Sequence, residues 1–252
     1  MIGERIWTAA LVVIGDEILS GRTQDKNIAQ VATWLNEQGI RLAEVRVVPD
    51  VSERIGNAVN ALRSEHDYVF TTGGIGPTHD DITVDAIAAA FGVPVIVHDR
   101  ARKILEDYYR GRGRLTDARL RMARTPEGAE LIENPTSGAP GVKMANVFIM
   151  AGVPNIAASM LQALTGKLEG GRPMVSVTVG ARAAESDVAD LLRETEAAHP
   201  GVAIGSYPFF KDGKYGANLV IRSEEAEAAR ETGEDLSARL REAGYEPVAG
   251  GI

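Results

Sequence analysis

The sequence contains no cysteine. Disulfides, thiolate nucleophiles and cysteine-based zinc sites are thereby excluded, and the chain suits a cytoplasmic compartment. Long apolar runs are missing too. The run near the start, Ala9 to Ile14, is far short of the roughly 18–20 residues that a membrane span needs. No small-residue cleavage pattern follows it, so a soluble, uncleaved protein without membrane contact is expected. Basic residues are outnumbered, 27 Lys and Arg against 35 Asp and Glu, for a net charge of −8. Phosphate backbones are bound mainly through clustered Lys and Arg, so no nucleic-acid partner is expected. The basic residues that do gather between Arg100 and Arg124 are interrupted by Glu106, Asp107 and Asp117 and read as a solvated helical face. Two common phosphate signatures are also absent: G-x-x-x-x-G-K-[ST] occurs nowhere, and Gly74-Ile75-Gly76 lacks the third glycine of a dinucleotide loop.

What is present is a chain of 252 residues, 44% hydrophobic and 25% charged, enough for one large or two small globular domains with a substantial core. It is organised around Tyr68 to Asp85, YVFTTGGIGPTHDDITVD. Tyr68 to Thr72 suits a buried parallel strand. Gly73, Gly74, Gly76 and Pro77 then break the chain, and Val84 to Phe91 reads as a helix stopped by Gly92, with Asp81 or Thr83 placed to cap its first turn. A strand that runs through glycines into a helix N-terminus lets an anion approach free N–H groups closely. The loop also carries Thr78, His79, Asp80 and Asp81. Two carboxylates facing a phosphate would repel it unless a divalent cation or a lysine lay between them. The plainer reading is that Asp81 caps the helix and the glycines turn the chain.

The same pattern recurs earlier. Thr8 to Ile14 reads as a strand buried on both faces, ending at Gly15, Asp16 and Glu17. Ser20 and Gly21 break the chain before a helix from about Asn27 to Gln38, with Asp25, Lys26 and Asn27 at its start. A lysine there opposes the helix dipole, which favours a functional role for it. Ala43 to Val48 reads as the next strand, closed by Pro49 and Asp50. A parallel βαβ arrangement would gather these strand ends, and with them the carboxylates, on one edge of the sheet.

Beyond the loop, a short strand at Val95–Val97, helices from Asp99 and near Asp117–Ala123, a strand at Val147–Met150 and a helix Ile156–Leu164 complete the first part. Thr165 to Pro173, rich in glycine and charge, reads as a domain boundary. After it come a strand at Met174–Val179, a helix Glu185–Ala198, strands at Val202–Ser206 and Ala217–Ile221 around an Asp212-Gly213 turn, and a helix Glu224–Ala243. That is a βαββα layer of α+β type. The domains expected are 1–170 and 171–252.

TTGGIGPTHDD at Thr71–Asp81 and IGDEILSG at Ile14–Gly21, followed by Asp25 and Asn27, strongly resemble the molybdopterin-binding MoaB/Mog fold and, within it, the N-terminal region of CinA proteins. The resemblance continues through NPTSGAPG at Asn134–Gly141, AGVP at Ala151–Pro154 and IGSYP at Ile204–Pro208. One departure is Met150-Ala151-Gly152, where the family usually has a proline before the glycine. The resemblance implies a three-layer α/β sandwich with a mainly parallel sheet, followed by a small α+β domain. The further amidase domain of fused CinA proteins is not expected in a chain of this length. It implies a divalent-metal-dependent nucleotide pyrophosphatase acting on ADP-ribose or FAD-like substrates. The alternatives are molybdopterin binding or adenylylation in cofactor biosynthesis, and a non-catalytic nucleotide-binding partner of a separate amidase.

On this reading Asp81 and Asp50 are the catalytic residues, and they hold a magnesium-class cation together with Asp80. Gly15, Asp16, Glu17, Ser20, Gly21, Asp25, Lys26, Asn27, Thr72, Gly73, Gly74, Gly76, Pro77, Thr78 and His79 surround the nucleotide or pterin. A dimer or trimer is the implied assembly.

Overall fold

Ala9 to Ile14 are all buried, and a strand covered on both faces has to lie inside a sheet with a layer on either side. The computed structural model describes residues 5–252 and shows that layering. In chain order the first unit, which ends at Gly171, runs β1 (Trp7–Ile14), α1 (Asp16–Leu19), α2 (Asn27–Glu37), β2 (Ile40–Val48), α3 (Ser52–Glu65), β3 (Tyr68–Thr72), α4 (Thr83–Phe91), β4 (Val95–Val97), α5 (Asp99–Tyr109), α6 (Asp117–Leu120), β5 (Arg124–Pro126), β6 (Glu130–Ile132), β7 (Gly141–Met144), β8 (Val147–Met150) and α7 (Pro154–Leu164). A 3-10 turn, Arg121–Ala123, joins α6 to β5.

The main sheet has the order β2-β1-β3-β8-β7-β6. Strands β2, β1, β3 and β8 are parallel, and β7 and β6 complete it antiparallel. Alternation along β1 assigns its side chains to two cores. Ala9, Leu11 and Val13 pack with Val31, Trp34 and Leu35 of α2 and Met160 and Leu161 of α7. Ala10, Val12 and Ile14 pack with Ile55, Val59 and Leu62 of α3 and with Ala86 and Ile87 of α4. Phe70 and Phe148, from neighbouring strands, stack at 4.9 Å on the α2 side. This is the expected three-layer α/β sandwich. The parallel register brings the carboxyl ends of β1, β2, β3 and β8 to one edge.

Two local expectations are corrected. No side chain caps α4: Asp81 accepts hydrogen bonds inside its own turn, and Thr83 Oγ1 donates to the carbonyl of Gly73 at 2.9 Å. Three short strands not expected from the sequence, β5, β6 and β7, form after residue 123, on either side of the 134–140 loop.

The second unit, Arg172–Ile252, runs β9 (Val175–Ala181), α8 (Glu185–Ala198), β10 (Ala203–Lys211), β11 (Lys214–Ser223), α9 (Ala226–Glu242) and β12 (Val248–Ala249). Its sheet has the order β10-β11-β9-β12 and is antiparallel throughout. Val188 of α8 and Leu236 and Leu240 of α9 cover one face of it. The hairpin turns at Asp212 and Gly213, both at positive φ, as an Asp-Gly pair allows. The strands flanking this turn are longer than their apolar cores suggest.

Candidate functional site

At the carboxyl edge three backbones meet with no side chains between them. Gly73 follows β3 at φ 107, and a Cβ placed on it would lie 2.1 Å from the carbonyl oxygen of Ile14 at the end of β1. Gly152, just after β8, also comes close: its Cβ would lie 3.1 Å from the Cα of Gly73. Only glycine fits at Gly73, and at Gly152 a side chain would crowd it. Gly74, also at positive φ, is held from beyond the loop, where the N–H of Thr83 donates to its carbonyl at 3.0 Å. Thr83 therefore fixes the loop by two bonds, a role that the sequence reading missed. Where the family proline is missing, the N–H of Ala151 lies 3.5 Å from the sulfur of Met160.

On the α2 side of this junction lies a cleft of about 70 Å³. Glu17, Asp25, Lys26, Asn27, Thr72 and Gly152 line it, with Val13, Ile18 and Pro154 as apolar wall. Asp25 Oδ1 accepts from the N–H of Ile28 at 2.7 Å and so does the capping work at α2. Asn27 is 4% exposed, and its Nδ2 donates to the carbonyl of Gly152 at 2.8 Å. Its Oδ1 has no partner, and neither has the hydroxyl of Thr72, which is 1% exposed. Buried polar atoms left without partners are costly, so two of them in the lining of one cleft suit a polar ligand.

Where the loops after β1 and β2 meet, carboxylates collect. The N–H of Asp16 donates to Asp50 Oδ2 at 2.9 Å, and the N–H of Gly15 to the carbonyl of Val48 at 3.2 Å, which ties the loops after β1 and β2 together. The Asp50 carboxyl is pushed above the usual range, first by burial and then by the charges of Asp16, Glu17 and Asp80, against the lowering effect of the Asp16 N–H. The Asp80 carboxyl is exposed and held below the usual range, chiefly by the neighbouring Thr78, then by its own backbone N–H, with His79 adding a smaller pull. Asp81 is half-buried beside Gly76, and its Oδ2 accepts from the N–H of Thr78 at 2.7 Å and from the Thr78 hydroxyl.

The expected site residues fall into groups. Asp16, Glu17 and Asp80 stand close enough to act on the charge of Asp50. Glu17, Asp25, Lys26, Asn27 and Thr72 line the cleft, and Gly15, Gly73, Gly74 and Gly76 form its junction and loop. Ser20 and Gly21 are not in the cleft wall; their N–H groups close α1 onto Asp16 and Ile18. Thr78 and His79 are exposed on the loop after Pro77. The aspartates do not form a ready-made cage: among the described residues the trio with ligand atoms within 4.8 Å of one another is Glu44, Glu65 and His66. There Arg46 donates to Glu44 at 2.6 Å and holds its carboxyl below the usual range, so the trio reads as an ion-pair cluster. Separate carboxylates such as Asp50 and Asp81 suit a hard cation that completes its shell with water and phosphate oxygens.

One expectation about charge is corrected as well. Arg121 and Arg124 do not belong to a solvated face. They line a depression with Gly74, Gly76, Asp81 and Asp85, and Arg124 is ion-paired with Asp85 in the first turn of α4.

The family described as "Probable molybdopterin binding domain" matches residues 10–169. The chain belongs to that family. Within it the chain is CinA-like, being 37% identical over 193 residues to a CinA-like protein of Citrifermentans bemidjiense; the match spans 73% of this chain and 46% of that protein. A probable FAD synthase of Caenorhabditis briggsae is 31% identical over 246 residues, 88% of this chain and 47% of that one. The chain thus spans about half the length of these two relatives. Residues 173–249 match the middle domain of FAD synthase. A crystal structure of CinA from Thermoplasma acidophilum is 33% identical, with a TM-score of 0.60, over 64% of this chain and 98% of that one. In this CinA-like chain no helix is long and apolar enough to cross a membrane among the described residues.

Proposed function

We propose that this CinA-like protein is a divalent-cation-dependent nucleotide pyrophosphatase that acts on ADP-ribose or FAD-like substrates. The observation that carries the reading is the group Asp16, Glu17, Asp50 and Asp80 beside a glycine loop. Such a concentration of negative charge repels a pyrophosphate, and Asp50, with its carboxyl already raised, is under that strain before any ligand arrives. Asp81 and Asp50, with Asp80, are the residues that would hold a magnesium-class cation. When bound, such an ion neutralises phosphate charge and polarises the phosphoryl oxygens.

The chain's own residues supply the rest. Backbone N–H groups of a glycine loop attract phosphate oxygens, while the amide of Asn27 and the hydroxyl of Thr72 offer polar contacts to a ring or sugar in the cleft. Water then attacks one phosphorus, the bridging P–O bond breaks, and the bridging oxygen leaves with the other phosphate; ADP-ribose gives AMP and ribose 5-phosphate, and FAD gives AMP and FMN. The relation to FAD synthase supports a flavin or adenine nucleotide as the ligand class.

A second reading, a molybdopterin binder or adenylyltransferase, is favoured by the family match and by the same orphaned polar atoms, which suit a pterin equally. The separating experiment is hydrolysis of ADP-ribose and FAD with and without magnesium. Excess chelator is expected to abolish turnover, and Asp81→Asn to lower it about a hundredfold, the scale of losing one strong electrostatic group. Turnover unchanged by EDTA, or wild-type turnover by Asp81→Asn, refutes the hydrolase reading. A homodimer or homotrimer is proposed alongside it, with light scattering as its check.

A further inference from the structure

Arg121 stands in the depression on the α4 side of the glycine loop, with Gly74, Ile75, Gly76, Asp81, Asp85 and Arg124 around it. The Nε of Arg121 is shielded from solvent and has no hydrogen-bond partner. No ion pair to Arg121 occurs among the described residues, whereas Arg124 beside it is neutralised by Asp85. Asp81, the remaining carboxylate in the wall, has Oδ2 committed to Thr78. A guanidinium carries five donors and keeps its charge at any ordinary pH, so a shielded Nε without an acceptor is an unfilled demand.

The backbone that presents it is well held. Thr116 Oγ1 accepts from the N–H of Arg119 at the start of α6, the N–H of His98 donates to the carbonyl of Ala123 at 2.9 Å, and β5 pairs with β4. The depression is open to solvent and holds about 10 Å³, enough for one oxygen-sized group of a ligand whose remainder lies outside it.

We infer that Arg121 is a phosphate-binding residue: its guanidinium donates to an oxygen of one phosphoryl group of a pyrophosphate ligand from the side of the loop opposite the Asn27 cleft. The inference rests on the pyrophosphate reading above for its ligand class, and it adds a cation to a site whose other named charges are mostly negative. The distinction from Arg124 is sharp, because that side chain already has its carboxylate.

The test is calorimetric titration of the full chain with inorganic pyrophosphate in the presence of magnesium, using wild type, Arg121→Gln and Arg121→Lys, each first shown to melt cooperatively. Wild type is expected to bind, and Arg121→Gln to bind about tenfold to a hundredfold more weakly, the range for losing one charge-assisted hydrogen bond. Arg121→Lys should keep part of the affinity and covers the case in which the glutamine variant fails to fold. Equal affinity in wild type and folded Arg121→Gln, or in wild type and Arg121→Lys where the glutamine variant does not fold, or no binding by wild type, overturns the inference. Protein that binds pyrophosphate through Arg121 yet leaves ADP-ribose and FAD intact would remove the hydrolase reading and keep this one. Magnesium-dependent turnover with unchanged pyrophosphate affinity in Arg121→Gln would do the reverse.

Discussion

The N–H of Asp16 and the carboxylate of Asp50 are joined at 2.9 Å across the ends of two neighbouring parallel strands, in a region where every other nearby charge on Asp50 is negative. The bond offsets part of a cost that burial and like charges impose. The Asp50 carboxyl therefore binds its proton more tightly in the folded chain than in the unfolded one.

For a carboxylate whose folded pKa is raised, the penalty to stability is present at neutral pH. It fades as pH falls through the folded value and is gone below the unfolded value of about 3.9. Asp50→Asn removes the charge and keeps an acceptor for the Asp16 N–H. It is expected to melt slightly above wild type at pH 7.5, with the gap closing towards pH 4, while metal-dependent turnover falls. Thermal melts across that pH range decide it; a variant that melts lower than wild type at neutral pH contradicts the account.

Thr72→Val replaces a partnerless buried hydroxyl by a methyl group of similar shape. Because nothing is lost in the free protein, stability should be unchanged or higher by up to about 1 kcal/mol. Ligand affinity should drop, since the hydroxyl is held ready for a partner that arrives with the ligand. Equal nucleotide or pterin affinity in the two proteins would remove Thr72 from the site.

Glycine positions offer a matched pair. Gly73→Ala drives a Cβ to 2.1 Å from the carbonyl of Ile14 at φ 107, and backbone cannot yield as a flexible side chain would. A loss of about 3 kcal/mol or more, or insoluble protein, is expected. Gly21→Ala, at φ 71 with open space around it, should cost only about 1 kcal/mol. Urea unfolding of both variants measures the contrast, and equal losses would refute the close-approach argument.

Ala145 lies at φ 52 in the turn between β7 and β8, a region that alanine enters at a cost of about 1–2 kcal/mol. Ala145→Gly relieves it on an exposed turn, and glycine's greater freedom in the unfolded chain returns part of the gain. A net rise of a few degrees in Tm is expected for a chain of this size, and a fall would show that Ala145 makes contacts worth more than its strain.

The same turn explains why part of the fold was hidden. The parallel strands were legible because their apolar runs stop at glycine or proline, and Thr8–Ile14 and Tyr68–Thr72 differ little from β1 and β3. The hairpin of β7 and β8 turns at Ala145 and Asn146 without a glycine, so nothing in the sequence marked Gly141–Met144 as a strand. In the site, motif residues were easy to find and their division was not. Asn27 and Thr72 line the cleft on the α2 side, whereas Asp50 is held by the Asp16 N–H where the loops after β1 and β2 meet. Arg121 and Arg124 gave no signal at all. They sit among arginines that are solvated, such as Arg102 and Arg110, and only the antiparallel pairing of β5 with β4 singles them out.

At the meeting of Ile14, Gly73 and Gly152 the floor between the two halves of the site is main chain alone. Every protein needs its peptide groups, so the floor offers natural variation nothing to exchange except at the price of the fold. Any drift in ligand preference among descendants of this chain must be written on the rim, at side chains such as Asn27, Thr72 and Arg121. Comparison of rim with floor across such descendants would separate what the architecture demands from what the ligand does.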